Sequence, residues 1–223
     1  MTEPVTTVMI SCRQRVTDRR RTIEAFHRIG LHPEVILSEC NPAGGMENAR
    51  TAHKALQVAA SQPTRRPALF IEDDLELADD FREHLTAALE LDAITYLYMT
   101  DTPSRLHIHH GSELAERILR GEAIPWGPRE LVNPAQPYGT QAVVIPERLI
   151  GTMVELTRPP GHHAFDTRLR MWLQAEHAAG RERIYTSLPH PVQHRNGTAG
   201  REEPTYTRRE RISLSYGLPS TRV

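Results

Sequence analysis

The chain lacks most of the features that would mark a special environment. It has two cysteines, Cys12 and Cys40, too few and too widely spaced for a disulfide scaffold or a thiolate zinc site. Each is expected as a small buried side chain at a strand end, in a reducing compartment. No apolar run approaches the roughly 18 residues of a membrane span, and the opening residues lack the positive-then-apolar order of a secretory leader. The expectation is a soluble, cytoplasmic protein, and without a leader Asn196-Gly197-Thr198 reads as a turn rather than a glycosylation acceptor. Neither sign of charge is in excess: 27 Lys and Arg meet 28 Asp and Glu, a formal charge of -1. That removes a general pull toward nucleic acid or an anionic membrane, and clusters such as Arg19-Arg20-Arg21 and Arg65-Arg66 read as solvated faces. A glycine-rich phosphate loop is also missing, because Gly44-Gly45 has neither the GxGxxG nor the GxxxxGK[ST] order.

What is present fits one domain, as the 223-residue length suggests. Residues 5–11 are β-rich and suit a first, central strand. A helical stripe follows over 18–29, with Asp18 as its cap and Gly30 as its stop, and residues 34–37 form a second strand. This is a βαβ opening with a crevice at the strand ends, faced by Ser11, Cys12 and Arg13. Helical spacing returns over 46–60, where Arg50 and Lys54 share a face. Residues 75–91 are expected as a helix and 94–99 as a strand ending in Thr100-Asp101. His107, His109 and His110 match a zinc site only by composition, with no thiol or carboxylate to complete it. Residues 121–136 read as a long loop in which Trp126 is a sugar-stacking platform or a hydrophobic anchor. Past residue 200 the chain is Arg, Glu and Thr-rich without a period, which gives a domain over 1–200 and a tail or lid over 201–223.

The chain is organised around Ala68-Leu69-Phe70-Ile71, an apolar run that breaks directly into Glu72-Asp73-Asp74. This reads as a buried strand whose end is an active-site edge. Three adjacent carboxylates repel one another, so they are gathered for a divalent cation, an acid/base assignment or cationic ligand groups; a solvated acidic turn is the plain alternative. Further on, Asp166 opens a helix after Pro159-Pro160-Gly161, where its residue type alone favours a capping role.

Four segments in order resemble a known group of enzymes. They are Glu72-Asp73-Asp74 ending its strand, Tyr138-Gly139-Thr140-Gln141-Ala142-Val143-Val144-Ile145-Pro146, Asp166-Thr167-Arg168-Leu169, and Gln193-His194. The pattern is similar to nucleotide-sugar glycosyltransferases of the GT-A fold, in particular the lipopolysaccharide and collagen-type galactosyltransferase group (family 25-like). It spans residues 5–197 but is carried by these short motifs. The resemblance implies an α/β fold: one GT-A-like domain with a Rossmann-like nucleotide-binding half and a mixed central sheet. It implies metal-dependent transfer of a sugar from a nucleoside diphosphate donor, uridine-linked, to a hydroxyl acceptor with inversion. Glu72, Asp74 and His194 would hold Mn²⁺ or Mg²⁺, the imidazole favouring Mn²⁺. Asp73 and Asp74 would lie at the diphosphate, Ser11, Arg13 and Lys54 at the donor, and Thr140 and Gln141 beside the donor sugar. Asp166 would be the acceptor-side base, with His162 or His163 replacing it if Asp166 only caps. The acceptor is open among a saccharide, a small metabolite and a modified DNA base, and the charge balance argues against the last. Two rivals stand beside this reading: a nucleotidyltransferase, whose glycine-rich basic loop after the first strand is missing, and a non-catalytic nucleotide-sugar or glycan-binding protein with the same fold.

Overall fold

The computed structural model describes residues 4–38, 45–99, 103–133, 141–159, 163–195 and 213–221. Val8, Met9 and Ile10 are apolar on both faces of the strand they form, which suits a position inside a sheet rather than at its rim. Strand β1 (Thr6–Cys12) accordingly lies between β2 (Glu34–Ser38) and β3 (Ala68–Glu72), parallel to both. The remaining strands of this sheet are β5 (Ile94–Tyr96), β7 (Gly127–Glu130), β8 (Ala142–Ile145) and β9 (Ile184–Leu188). The order is β2-β1-β3-β8-β5-β9-β7, with β8 antiparallel to β3 and β5, and β7 antiparallel to β9. This is the expected α/β arrangement, a parallel Rossmann-like half continued into a mixed sheet. Its directions matter for function. The C-terminal ends of β1, β3, β5 and β9 share one edge with the start of β8.

Helices α1 (Val16–Arg28), α2 (Gly45–Ala60), α3 (Phe81–Leu89), α6 (Glu147–Thr157) and α7 (Phe165–Ala178) contribute to cores on both sheet faces. Strand β3 shows why two cores exist. Phe70 packs with Leu56, Tyr96, Val143 and Phe165 on one side, while Leu69 and Ile71 pack with Phe26, Phe81 and Leu85 on the other. Alternation along a strand buried on both faces requires this. Each such buried aromatic contributes about 1.5–3 kcal/mol, and the Phe70–Phe165 ring centroids lie 5.0 Å apart. Helix α1 ends as expected before Gly30, whose φ of 74° closes the turn at no steric cost.

Several expectations are corrected. Residues 75–91 are not one helix: Leu75-Glu76-Leu77 alternates with the period of a strand and forms β4 (Leu75–Leu77), paired antiparallel with β10 (Val192–His194). The helix starts only at Phe81. Residues 121–136 are not a plain loop, since they hold β6 (Ile124–Pro125) and β7, and β6 pairs with β11 (Ser220–Thr221). His107, His109 and His110 lie in α4 (Pro103–His110), which leads into α5 (Ser112–Leu119). Asp18 sits in the first turn of α1, and the N-cap is Arg15. Within the stretch read as tail or lid, which stands as an expectation, Leu214 and Leu218 lie against a cluster of Leu106, Ile118, Ile124 and Leu188.

Cys12 is disulfide-bonded, which corrects the expected free thiol. Wide spacing along the chain is not wide spacing across neighbouring strands. The β1–β2 register sets Cys12 beside Ser38, two positions before Cys40, the only other cysteine in the sequence and itself outside the described residues. The thiol argument for a reducing compartment falls with that expectation. No helix among the described residues is long and apolar enough to cross a membrane.

Candidate active site

The acidic stretch lies at the shared sheet edge, and three other segments converge on it. Because β8 runs antiparallel to β3, Gln141 falls directly across from Glu72, whose N–H donates to the Gln141 carbonyl at 2.9 Å. From β1, the Ser11 hydroxyl donates to Asp73 Oδ2 at 2.6 Å, and Arg19 of α1 holds that hydroxyl in place at 3.0 Å. The Thr22 hydroxyl, also on α1, donates to the Asp73 carbonyl at 2.8 Å. The β4–β10 pairing delivers His194 opposite Leu75 and brings its Nε2 to 2.8 Å from Asp74 Oδ2. The ring N–H at that distance is not aligned as a hydrogen bond. The Arg195 N–H then donates to the Asp74 carbonyl at 2.7 Å.

Asp73 and Asp74 are only 1% and 2% exposed. Two buried carboxylates side by side need compensation, and Arg15 reaches both of them. Its Nη1 lies 2.8 Å from Asp73 Oδ1, and its Nη2 donates to Asp74 Oδ2. The consequences for protonation differ along the triad. Burial, then the charge of Asp74, pushes the Glu72 carboxyl up to about 7, against weaker opposing pulls from His194 and Arg15. Burial acts on Asp74 in the same direction, but His194 and Arg15 together outweigh it and hold that carboxyl well below the usual range. Burial raises Asp73 despite Arg15 and the Ser11 hydrogen bond. For Arg15, the two aspartates outweigh burial and raise the guanidinium further.

The fold thus gathers Ser11, Glu72, Asp73, Asp74, Gln141 and His194. It does not gather Lys54, which projects from the exposed side of α2 while Ala52, Ala55 and Leu56 face the core. Arg13 is exposed just past β1, its N–H donating to the Ser38 carbonyl at 2.9 Å. Thr140, His162 and Asp101 lie outside the described residues. His163 is exposed, and its carbonyl accepts from Arg168 Nε at 3.0 Å. Asp166 stands in the first turn of α7 and is not the N-cap, which is Ala164; its Oδ1 accepts the Thr167 N–H at 2.7 Å. Burial first, and Asp166 second, raise the Tyr96 hydroxyl's pKa.

Arg15 is the residue that sequence reasoning misses, although a basic residue between the first strand and its helix is a visible signal in an α/β opening. Other polar groups have structural work. His190 is bound by Thr186 at 2.9 Å, by Ser213 through Nδ1, and by Ser215 through its main-chain N–H at 3.1 Å. Trp126 packs its ring 4.5 Å from His84 and donates to Asp80 at 3.2 Å. Asp80, His84 and Ser187 form a chain of 3.2 and 2.7 Å contacts with the residue types of a nucleophilic triad. Ser187 is 0% exposed, however, so the chain ties α3 to β9 and meets no substrate.

Whether Glu72, Asp74 and His194 suit a divalent cation is tested by their unsatisfied atoms. Asp74 Oδ1, Gln141 Oε1 and His194 Nδ1 are buried without a hydrogen-bond partner among the described residues. Carboxylate and imidazole donors held this way have the right chemistry for Mn²⁺ or Mg²⁺. The described residues do not, however, set three acid or imidazole side chains around one point. Instead, the guanidinium of Arg15 faces the aspartates.

No family model matches the chain, and no curated protein matches its sequence. Among solved structures it is similar to a glycosyltransferase involved in the glycosylation of the major capsid of PBCV-1. The TM-score is 0.43 and the identity 9%, over 82% of this chain and 94% of that chain. A likeness at that level carries no argument about activity, which rests on the residues of the site.

Proposed function

We propose that the protein is a metal-dependent glycosyltransferase that moves a sugar from a nucleoside diphosphate donor to a hydroxyl acceptor, with inversion at the anomeric carbon and a uridine-linked donor as the first to test. One observation supports this above the others: Ser11, Glu72, Asp73, Asp74, Gln141 and His194 converge from four segments, and unsatisfied buried polar atoms cluster among them. A merely structural acidic turn would satisfy such atoms or leave them in water.

Asp74 and His194 would hold Mn²⁺ or Mg²⁺ with Glu72 as a further oxygen donor, and the cation would supply positive charge against the departing diphosphate. Ser11 and Arg19 keep Asp73 oriented. Gln141 offers a side-chain amide to sugar hydroxyls beside Glu72. Asp166, half-buried in the first turn of α7, takes the proton of the acceptor hydroxyl as its oxygen bonds the anomeric carbon. The bond to the diphosphate breaks with its electron pair on the phosphate oxygen, through an oxocarbenium-like transition state. The acceptor is to be sought among saccharides, small metabolites and modified bases.

Calorimetric titration of UDP in the presence of Mn²⁺ tests the reading. The wild type should bind, and Asp74→Ala should weaken binding by about tenfold or more, the cost of one charge-assisted contact. Equal affinity in the two proteins would remove the metal and donor assignment.

A further inference from the structure

The carboxylates that should receive a cation are already occupied by a cation of the protein's own. Arg15 reaches both at once, Nη1 to Asp73 Oδ1 at 2.8 Å and Nη2 to Asp74 Oδ2. Its side chain is 17% exposed while theirs are 2% exposed, so it covers them from the solvent side. A divalent cation at the same oxygens would be repelled by the guanidinium while competing with it for the same negative charge. Both carboxylates also have partners other than Arg15. Asp73 Oδ2 is held by Ser11, itself held by Arg19, and Asp74 keeps His194 beside it.

We propose that Arg15 is an exchangeable plug: in the donor-free protein it neutralises Asp73 and Asp74, and on donor binding it transfers to the diphosphate, leaving a divalent cation on Asp74 to neutralise both carboxylates. This deepens the glycosyltransferase reading and rests on it. The chemistry favours the exchange because a guanidinium pairs bidentately with phosphate oxygens as readily as with two carboxylates. Arg15 precedes the first turn of α1, at the mouth of the βαβ crevice where a diphosphate would lie. Metal and diphosphate then bind cooperatively, each removing an obstacle to the other. Metal alone binds weakly.

The test measures Mn²⁺ alone, and UDP at saturating Mn²⁺, by calorimetry on wild type and Arg15→Gln, with melting curves to confirm folding. Arg15→Gln should bind Mn²⁺ alone about ten- to a hundredfold more tightly than wild type and bind UDP weaker by a similar factor, the range expected of charge-assisted contacts. If Arg15→Gln does not fold, Arg15→Lys replaces it; a point charge cannot span both carboxylates, so Mn²⁺ alone should still bind more tightly than to wild type, by a smaller factor. Unchanged or weaker Mn²⁺ affinity in the folded variant overturns the plug. Unchanged UDP affinity overturns the transfer to diphosphate. The parent reading fails separately: if wild type binds no UDP with any divalent cation, the donor assignment falls, while the Mn²⁺ arm still decides whether Arg15 occupies the metal's position.

Discussion

Glu72→Gln in the ligand-free protein should raise stability, and only at neutral and alkaline pH. The folded protein holds the Glu72 carboxyl at about 7 against an ordinary 4.5, so it binds this proton more tightly than the unfolded chain does. The group therefore costs nothing below about pH 4.5. Its cost grows as pH rises through the interval and is complete above about 7, where a charged carboxylate is held in a half-buried position beside Asp74. At 1.36 kcal/mol per pH unit, the interval corresponds to a ceiling of about 3 kcal/mol, and the residue's partial exposure brings the expected value nearer 1–2 kcal/mol. Glutamine keeps the shape and removes the charge. For a chain of this size that is about 2–8 °C in melting temperature at pH 8, with no difference at pH 4.5. The assay is paired thermal unfolding of variant and wild type across pH 4.5–8.5. A difference that stays constant across the range, or a variant less stable at pH 8, would refute the argument that burial and Asp74 set the protonation of Glu72.

Asp166→Asn should leave the melting temperature near wild type, since asparagine still accepts the Thr167 N–H, while initial-rate transfer falls by about two to four orders of magnitude, the usual loss for a positioned base. Near-normal transfer would return Asp166 to a structural role. His190→Phe should lower stability by about 1–3 kcal/mol, because Ser213 and the Thr186 hydroxyl lose a partner in the buried network that fastens residues 213–221; chemical denaturation reads this, and a loss below about 0.5 kcal/mol would show the network to be dispensable.

What the sequence discloses depends on how local the physics is. Glu72-Asp73-Asp74 is legible because its chemistry is contiguous: three charges after four apolar residues are unusual wherever the chain goes. The β1–α1–β2 opening is legible for the same reason, its periods being complete within each segment. The helix expected over 75–91 fails where locality fails. Leu75 and Leu77 suit a helical stripe as well as a strand face, and the decision belongs to Val192–His194, a distant segment that offers β4 its backbone partners. The two-residue β6 is decided in the same way, by β11 near the other end of the chain.

The site divides along the same line. His194 is singled out over His190 by motif order alone, and the structure supplies the physical difference: His190 spends both ring nitrogens on Thr186 and Ser213, whereas His194 reaches the acidic edge. Lys54 is suggested by its sharing a helix face with Arg50, but sharing a face does not say which way that face points. Core packing of Ala52, Ala55 and Leu56 turns Lys54 outward. Arg15 escapes notice because arginine near a helix start has no fixed meaning until its partners are known. Two aspartates 58 and 59 positions away give it one. A buried carboxylate pair cannot persist uncompensated, and Arg15 is the cation of the protein's own that sits there. The acidic motif therefore implies an internal counter-charge, and the proposed exchange of that counter-charge is what would separate a binding site from a buried ion pair.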